Sequence, residues 1–500
     1  MKKVNKVLSG LLSVSLIAAL SACGGGTTTP ADGTTAAGGA AEATTTTTEA
    51  TTVTTTVATV EIVTTTFADE EAAAIAAAAE QLPDVEMTTN EIKWLAHYDI
   101  NPNTAGQPKS AALQLFEEKY GGTVKWYETT WNTRFDDLST YVLGGEGVDF
   151  FPGDDEANYP KGVVNGMFQS IDQYIDINDP MWDSVRPGME AVNFGGKHYE
   201  FVTGVASRFV LAYSANTIEE NGLEDPYEQW QNGEWNWDTF KASLLDFVDA
   251  ENDMHGLDGW WFERGLFGTV GVPVVGVTDG QLVCNLNSPE IEKVSNFGYD
   301  LWQNGLILDK SLFSWSIHPE YMGEGKELFF IVGAYEFNQS PDVWPQKISP
   351  EDLRIVPVPG PADQETPYTV TRIDGFSLLK GATNPAGVAA YTYCSILAGQ
   401  DEDVKAISRR QQQTDYQLSD IVLDSIAAVD QIAADNPRVE FAAGSSNDIM
   451  QLTTDGGETV GIRAAFHGTD WATTREAISD SVNLLVEEVN TALQAAVAAE

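Results

Sequence analysis

The stretch that decides the fold reads Glu91-Ile92-Lys93-Trp94-Leu95-Ala96, a polar loop over residues 97–109, then Ser110-Ala111-Ala112-Leu113-Gln114-Leu115-Phe116-Glu117-Glu118-Lys119-Tyr120-Gly121-Gly122. Residues 92–96 read as a strand. Residues 110–120 repeat their apolar positions at helical spacing, and the glycine pair stops the helix. Residues 123–127 form a second strand, 132–143 a second helix and 148–151 a third strand, which ends in Pro152-Gly153-Asp154-Asp155. This βαβαβ order predicts an α/β fold with a parallel sheet. Its ligand loops lie at the carboxyl ends of the strands, at 97–109, around Trp131 and at 152–159.

Upstream of this stretch the texture differs. Lys2, Lys3 and Lys6 precede an apolar run over 7–20, which is short for a permanent membrane span and reads as a secretory signal. It ends in Leu20-Ser21-Ala22-Cys23, which resembles the lipobox of bacterial lipoproteins. That resemblance implies a signal peptide over 1–22 and a mature chain that begins at a lipidated (palmitate-type) Cys23. Residues 23–90 are dominated by Thr, Ala and Gly and read as a disordered tether, since so little apolar surface cannot offset the entropy of ordering it. A short helix over 72–79 is expected within it, with nothing opposite to pack on.

Composition bounds the partners. The 500 residues carry 27 Lys plus Arg against 74 Asp plus Glu, a formal net charge of −47, which excludes nucleic acid and anionic lipid headgroups as bulk partners. The acidity belongs to residues 91–500, whose own net charge is −40. With 13 Trp, 16 Tyr and 21 Phe, the chain has the apolar content to fold.

Three further segments narrow the class. They are Gly195-Gly196-Lys197-His198-Tyr199-Glu200 with Val210-Leu211-Ala212-Tyr213-Ser214-Ala215-Asn216; Glu219-Glu220-Asn221-Gly222-Leu223 with Asp225-Pro226 and Trp235-Asn236-Trp237-Asp238-Thr239-Phe240; and residues 374–385, from Asp374-Gly375-Phe376 to Thr383-Asn384-Pro385. In this order they resemble the extracellular solute-binding proteins of family 1, the maltose-binding type of ABC-importer receptor, over roughly residues 91–500. The resemblance implies a two-lobed periplasmic-binding-protein-like fold (type II), with ligand in a cleft between lobes joined by crossover strands. The N-terminal lobe would take 91–205 and 372–400, and the C-terminal lobe 206–371 and 401–500. Hinges would lie near 205–210 and 370–375.

A pyranose has an apolar C–H face and a rim of hydroxyls, so a sugar receptor needs stacking planes and fixed polar groups. By the resemblance, the planes are Trp260, Trp261, Trp471 of a Trp-x-x-x-Arg element, and Tyr335. Trp131 is a rim candidate from its loop. Asp154 and Asp155 follow the third strand, Arg208 sits on the outgoing crossover, and Arg372 and Asp374 flank the return; these supply the polar half. The ligand would be a carbohydrate, most readily an oligosaccharide. The partner would be an ABC permease in the cytoplasmic membrane, and the receptor a monomer held at its extracellular face by the Cys23 lipid, in a Gram-positive type of cell.

Catalysis has little local support. The five histidines (His97, His198, His255, His318 and His467) form no His-x-x-x-His pair, and no Gly-x-Ser-x-Gly elbow, Walker loop or Cys-x-x-Cys is present. No cofactor or metal is expected. Cys284 and Cys394 are expected to remain thiols, because a bridge between lobes would oppose closure. Receptors for another solute, such as a peptide or polyamine, and a surface carbohydrate-active enzyme or adhesin are the alternatives.

Overall fold

The computed structural model describes residues 58–101, 109–338 and 348–499, with side chains from residue 69. Cys23 and the signal sequence lie outside the described residues. The chain divides into two units, Met1–Thr59 and Val60–Glu500, and the fold belongs to the second.

Helix α1 (Ala58–Ala79) precedes β1 (Glu91–Ala96), α2 (Ala111–Tyr120), β2 (Thr123–Glu128), α3 (Arg134–Gly144) and β3 (Phe150–Pro152). This is the βαβαβ order read from the sequence, and both β2 and β3 pair parallel to β1. Ser110 caps α2 by accepting from Leu113 N. Gly121 closes it in the left-handed region at φ 57° and donates to the Glu117 carbonyl.

The chain then runs through β4 (Glu200–Ser207) directly into β5 (Phe209–Ser214). Helix α4 (Trp237–Phe247), β6 (His255–Gly259), α5 (Phe262–Gly268), α6 (Pro289–Gln303), β7 (Glu327–Gly333) and β8 (Leu353–Val356) follow, and β9 (Thr371–Leu378) returns. Helices α7 (Pro385–Gln400), α8 (Glu402–Asp415), α9 (Asp420–Asp435) and α10 (Trp471–Ala499) complete the elements used below.

Two mixed sheets organise these elements. The first has the order β2-β1-β3-β9-β4, with β9 antiparallel to both neighbours; the second has the order β8-β5-β7-β6. Trp94, Phe150, Phe376 and Tyr391 pack together under the first sheet, with the rings of Trp94 and Phe150 4.7 Å apart and those of Phe376 and Tyr391 5.4 Å apart. The second sheet is covered on both faces. All seven residues of β7 are buried, which is why it reads as a continuous apolar run instead of an alternating one. The Trp-rich segment before α4 also has a packing role: Asn236 and Thr239 form a capping box, and the Trp237 ring stacks on Phe297 at 4.3 Å.

Two expectations need correction. The helix foreseen over 72–79 does not lie free. Ile75, Ala78, Ala79 and Leu82 are buried against the body, Glu71 pairs with Arg410 at 3.1 Å, and Tyr120 Oη donates to the Pro83 carbonyl at 2.6 Å. The sequence reading missed this because the partner surface lies some 340 residues downstream. Helix α8, expected with the C-terminal lobe, packs on α2 and α7 beside the first sheet.

Cys394 is buried and Cys284 half-buried, and both are thiols. Among the described residues no helix is long and apolar enough to cross a membrane.

Candidate functional site

Only Arg208 separates β4 of the first sheet from β5 of the second, and its N–H donates to the Val370 carbonyl at 2.8 Å, one residue before β9 returns to the first sheet. The two crossings therefore run side by side at 207–208 and 370–371. This double strand joins the lobes, and charged side chains gather beside it.

Glu156, shortly after β3, forms the centre of that seam. Its carboxylate pairs with Arg264 of α5 and lies 3.6 Å from Arg208 Nε. Burial opposes the charge on Glu156, but Arg264 and Arg208 outweigh it and hold the carboxyl at about 2. The Glu156–Arg264 pair thus links a loop of the first sheet to a helix of the second. Asp155 pairs with Arg134 at the start of α3, and Arg208 Nη2 donates to the Asp154 main-chain oxygen at 2.9 Å. On β9, Arg372 grips Asp374 with two hydrogen bonds of 2.6 and 3.0 Å. Asp155, Arg372 and Asp374 therefore satisfy protein partners, whereas the Asp154 carboxyl makes no side-chain hydrogen bond among the described residues.

Exposed aromatic rings border this seam. Trp131 is 56% exposed, with the Arg134 guanidinium 3.7 Å over its ring and His97 edge-on at 5.2 Å. Trp261, 38% exposed, occupies the residue before α5, whose first turn carries Arg264. Tyr335 is half-exposed just beyond β7; burial and the neighbouring Glu336 push its hydroxyl up to about 12, in the field of Arg208 and Glu156. Trp260 is half-buried, edge-on to Phe330 at 5.2 Å.

Trp471 departs from expectation. It begins α10 and is 1% exposed, packed beside Phe267, so it offers no open face. The Trp-x-x-x-Arg pattern is the same whether the ring points outward or inward, and here Arg475 pairs with Glu292 on α6.

Other residues were missed. Trp315 is 51% exposed and Tyr98 40%; Glu156, Arg264 and Glu200 were also passed over. Trp315, its neighbour Ser314 and Trp261 all hold positive φ, at 63°, 58° and 52°. Such strained positions in bulky residues concentrate at ligand-contacting loops. No local pattern announces them, although an exposed-aromatic count of each loop would have raised Trp315.

Behind α5 lies a buried ionic cluster. The ligand atoms of Glu263, Glu458 and His467 fall within 4.8 Å of one another, a spacing a metal ion could use. Arg463 pairs with both glutamates, and Lys310 bonds the Gly259 carbonyl and lies 3.2 Å from Asp258. Burial disfavours a charged His467, but its two glutamates outweigh that and raise its pKa. Arg463 and His467 already contact Glu263 and Glu458, so these would-be ligand atoms have protein partners.

No protein-family model matches the sequence, and no curated protein matches it. Solved structures do. An extracellular solute-binding protein from Staphylococcus aureus in complex with maltose aligns over 81% of this chain and 100% of its own, at 12% identity and TM-score 0.57. A cyclo/maltodextrin-binding protein complexed with maltotetraose aligns over 82% and 99%, at 15% identity and TM-score 0.56. An ABC substrate-binding protein from Listeria monocytogenes in complex with cycloalternan aligns over 79% and 98%, at 16% identity and TM-score 0.54. These neighbours are two-lobed sugar-binding proteins of the maltose-binding type, the group the sequence resembles.

Proposed function

We propose that this chain is the substrate-binding component of an ABC importer, which captures a carbohydrate, most readily an oligosaccharide, between its lobes and delivers it to a permease. The observation that carries this reading is the placement of exposed Trp131, Trp261 and Tyr335 around a charged seam, where two adjacent crossing strands join the sheets. Rings supply stacking planes, and the carboxyl and guanidinium groups supply the hydroxyl rim. Similarity to receptors solved with maltose, maltotetraose and cycloalternan supports the ligand class.

Closure follows from the joint. A ligand stabilises the closed form by the contacts it makes only there, and bending at 207–208 and 370–371 brings the first-lobe carboxyls to a sugar held on second-lobe rings. No bond in the ligand changes. Acylation of Cys23 would hold the monomeric receptor at the outer face of the cytoplasmic membrane, near its permease.

A thermal-shift screen of the full chain against mono- and oligosaccharides tests the ligand class, since a ligand that binds only the folded state raises its melting temperature. A shift with sugars is expected. Shifts with peptides and none with sugars would overturn it. For the anchor, Cys23→Ala should release the protein from membranes into the medium; retention would remove the lipid from this account.

A further inference from the structure

The cavity beside the seam is lined by two carboxyl groups that no cation of the protein hydrogen-bonds among the described residues. Glu200 opens β4 and is 1% exposed, and among the described residues neither of its carboxyl oxygens has a hydrogen-bond partner. It lines a small cavity together with Asp154, Arg208, Thr371 and Glu440. Two glycines make room for it: a Cβ on Gly153 would stand 2.2 Å from Glu200 Oε1, and one on Gly375 2.6 Å. Asp154 follows Gly153 directly, and its carboxyl also lacks a hydrogen bond among the described residues. Burial, then the charges of Asp154 and Asp374, push the Glu200 carboxyl well above the usual carboxylate range, and burial with the charge of Asp374 raises Asp154 despite the opposing pull of Arg372 and Arg208.

The nearby cations are committed. Arg372 holds Asp374, Arg264 and Arg208 share Glu156, and Arg134 holds Asp155. A buried carboxyl without a partner is costly to keep, so an unpaired couple beside a ligand cleft points to something that arrives with the ligand. A divalent metal needs several ligand atoms around one point. Among the described residues the only trio so arranged is Glu263, Glu458 and His467, which includes neither Asp154 nor Glu200. An organic ammonium asks less, because its three N–H donors can reach acceptors on different sides at about 2.8 Å.

We propose that Asp154 and Glu200 form an amine-receiving subsite, and that the carbohydrate this receptor captures carries a free amino group. The inference rests on the carbohydrate-receptor reading above and narrows it to amino sugars. The aromatic planes would take the sugar's C–H face, while the ammonium enters the small cavity that Asp154 and Glu200 line. An N-acetylated amine, neutral and larger, loses both the charge and the fit.

Isothermal titration of the full chain with paired sugars tests it. The pairs are glucosamine with glucose, galactosamine with galactose, and the β-1,4-linked glucosamine trimer with cellotriose, plus the N-acetylated trimer. At least one amino sugar should bind tenfold or more tighter than its hydroxyl partner and its N-acetyl form. Asp154→Asn and Glu200→Gln should each reduce that preference below threefold. Should Glu200→Gln fail to fold, Asp154→Asn decides alone, since its side chain is only partly buried. A preference below tenfold in every pair overturns the subsite; if the neutral sugars bind, the receptor reading survives that failure. Binding of spermidine with no sugar binding overturns both.

Discussion

Single residues in this cleft separate those that hold the fold from those left open to a ligand. Trp471 belongs to the first class: truncating a fully buried Trp leaves a cavity, so Trp471→Ala should lower stability by about 3–5 kcal/mol in chemical denaturation. Trp261 belongs to the second, and Trp261→Ala should leave the denaturation midpoint nearly unchanged while weakening sugar binding roughly tenfold, as expected for a lost stacking plane. The opposite pattern for the pair would reverse their roles. Residue identity alone did not make this distinction legible. Trp131 and Asp154 were named because they follow strand ends, where ligand loops lie, and Trp261 and Tyr335 from the family resemblance; the structure leaves the three rings exposed. Trp471 was misread because burial of a helix-start Trp depends on what sits across from it. Glu156, Arg264 and Glu200 gave no local signal, since each acquires its meaning from partners about 40 to 180 residues away, for Glu200 the glycines Gly153 just after β3 and Gly375 on β9.

Among the elements, β1 to β3 with their helices were legible nearly to the residue, because alternation of period two and repeats near 3.6 are local properties of the chain. Helix α1 was legible as a helix but not as a docked one. Its buried contacts are few: Ile75, Ala78, Ala79 and then Leu82, with the half-exposed Glu71–Arg410 pair at the side. Apolar burial, not the ion pair, should hold it. Ile75→Ala is expected to cost about 2–4 kcal/mol, while Glu71→Ala should stay within about 1 kcal/mol, as exposed pairs do. Equal effects in urea titrations would show that the helix is held electrostatically.

Across the whole molecule, acidity and closure meet at the seam. Glu440, half-buried and bonded by the N–H groups of Val274, Val275 and Ala442, is raised to about 7 by loss of solvent around its carboxyl, and Asp430 to about 6 for the same reason. A carboxyl raised in the folded state binds a proton that the unfolded chain has already lost, so its contribution is present below about 4.5 and fades as pH rises through 7. The raised His467 acts in the same direction. Glu156 opposes them: lowered to about 2 by Arg264 and Arg208, it contributes above about 4.5 and loses its effect only as pH falls toward 2. The melting temperature should therefore climb between pH 7.5 and about 5 and drop below about 4, and Glu440→Gln should flatten the upper limb. A profile flat from 5 to 7.5 would contradict the assignment. Glu156 also ties lobe to lobe, and Glu156→Gln leaves Arg208 and Arg264 facing each other across the joint without their shared counter-charge. Small-angle scattering should then show a larger radius of gyration for the variant without ligand, and sugar affinity should fall at least tenfold, because closure now works against two like charges. An unchanged radius with weakened binding would make Glu156 a direct ligand contact, and the joint would be held by apolar packing alone.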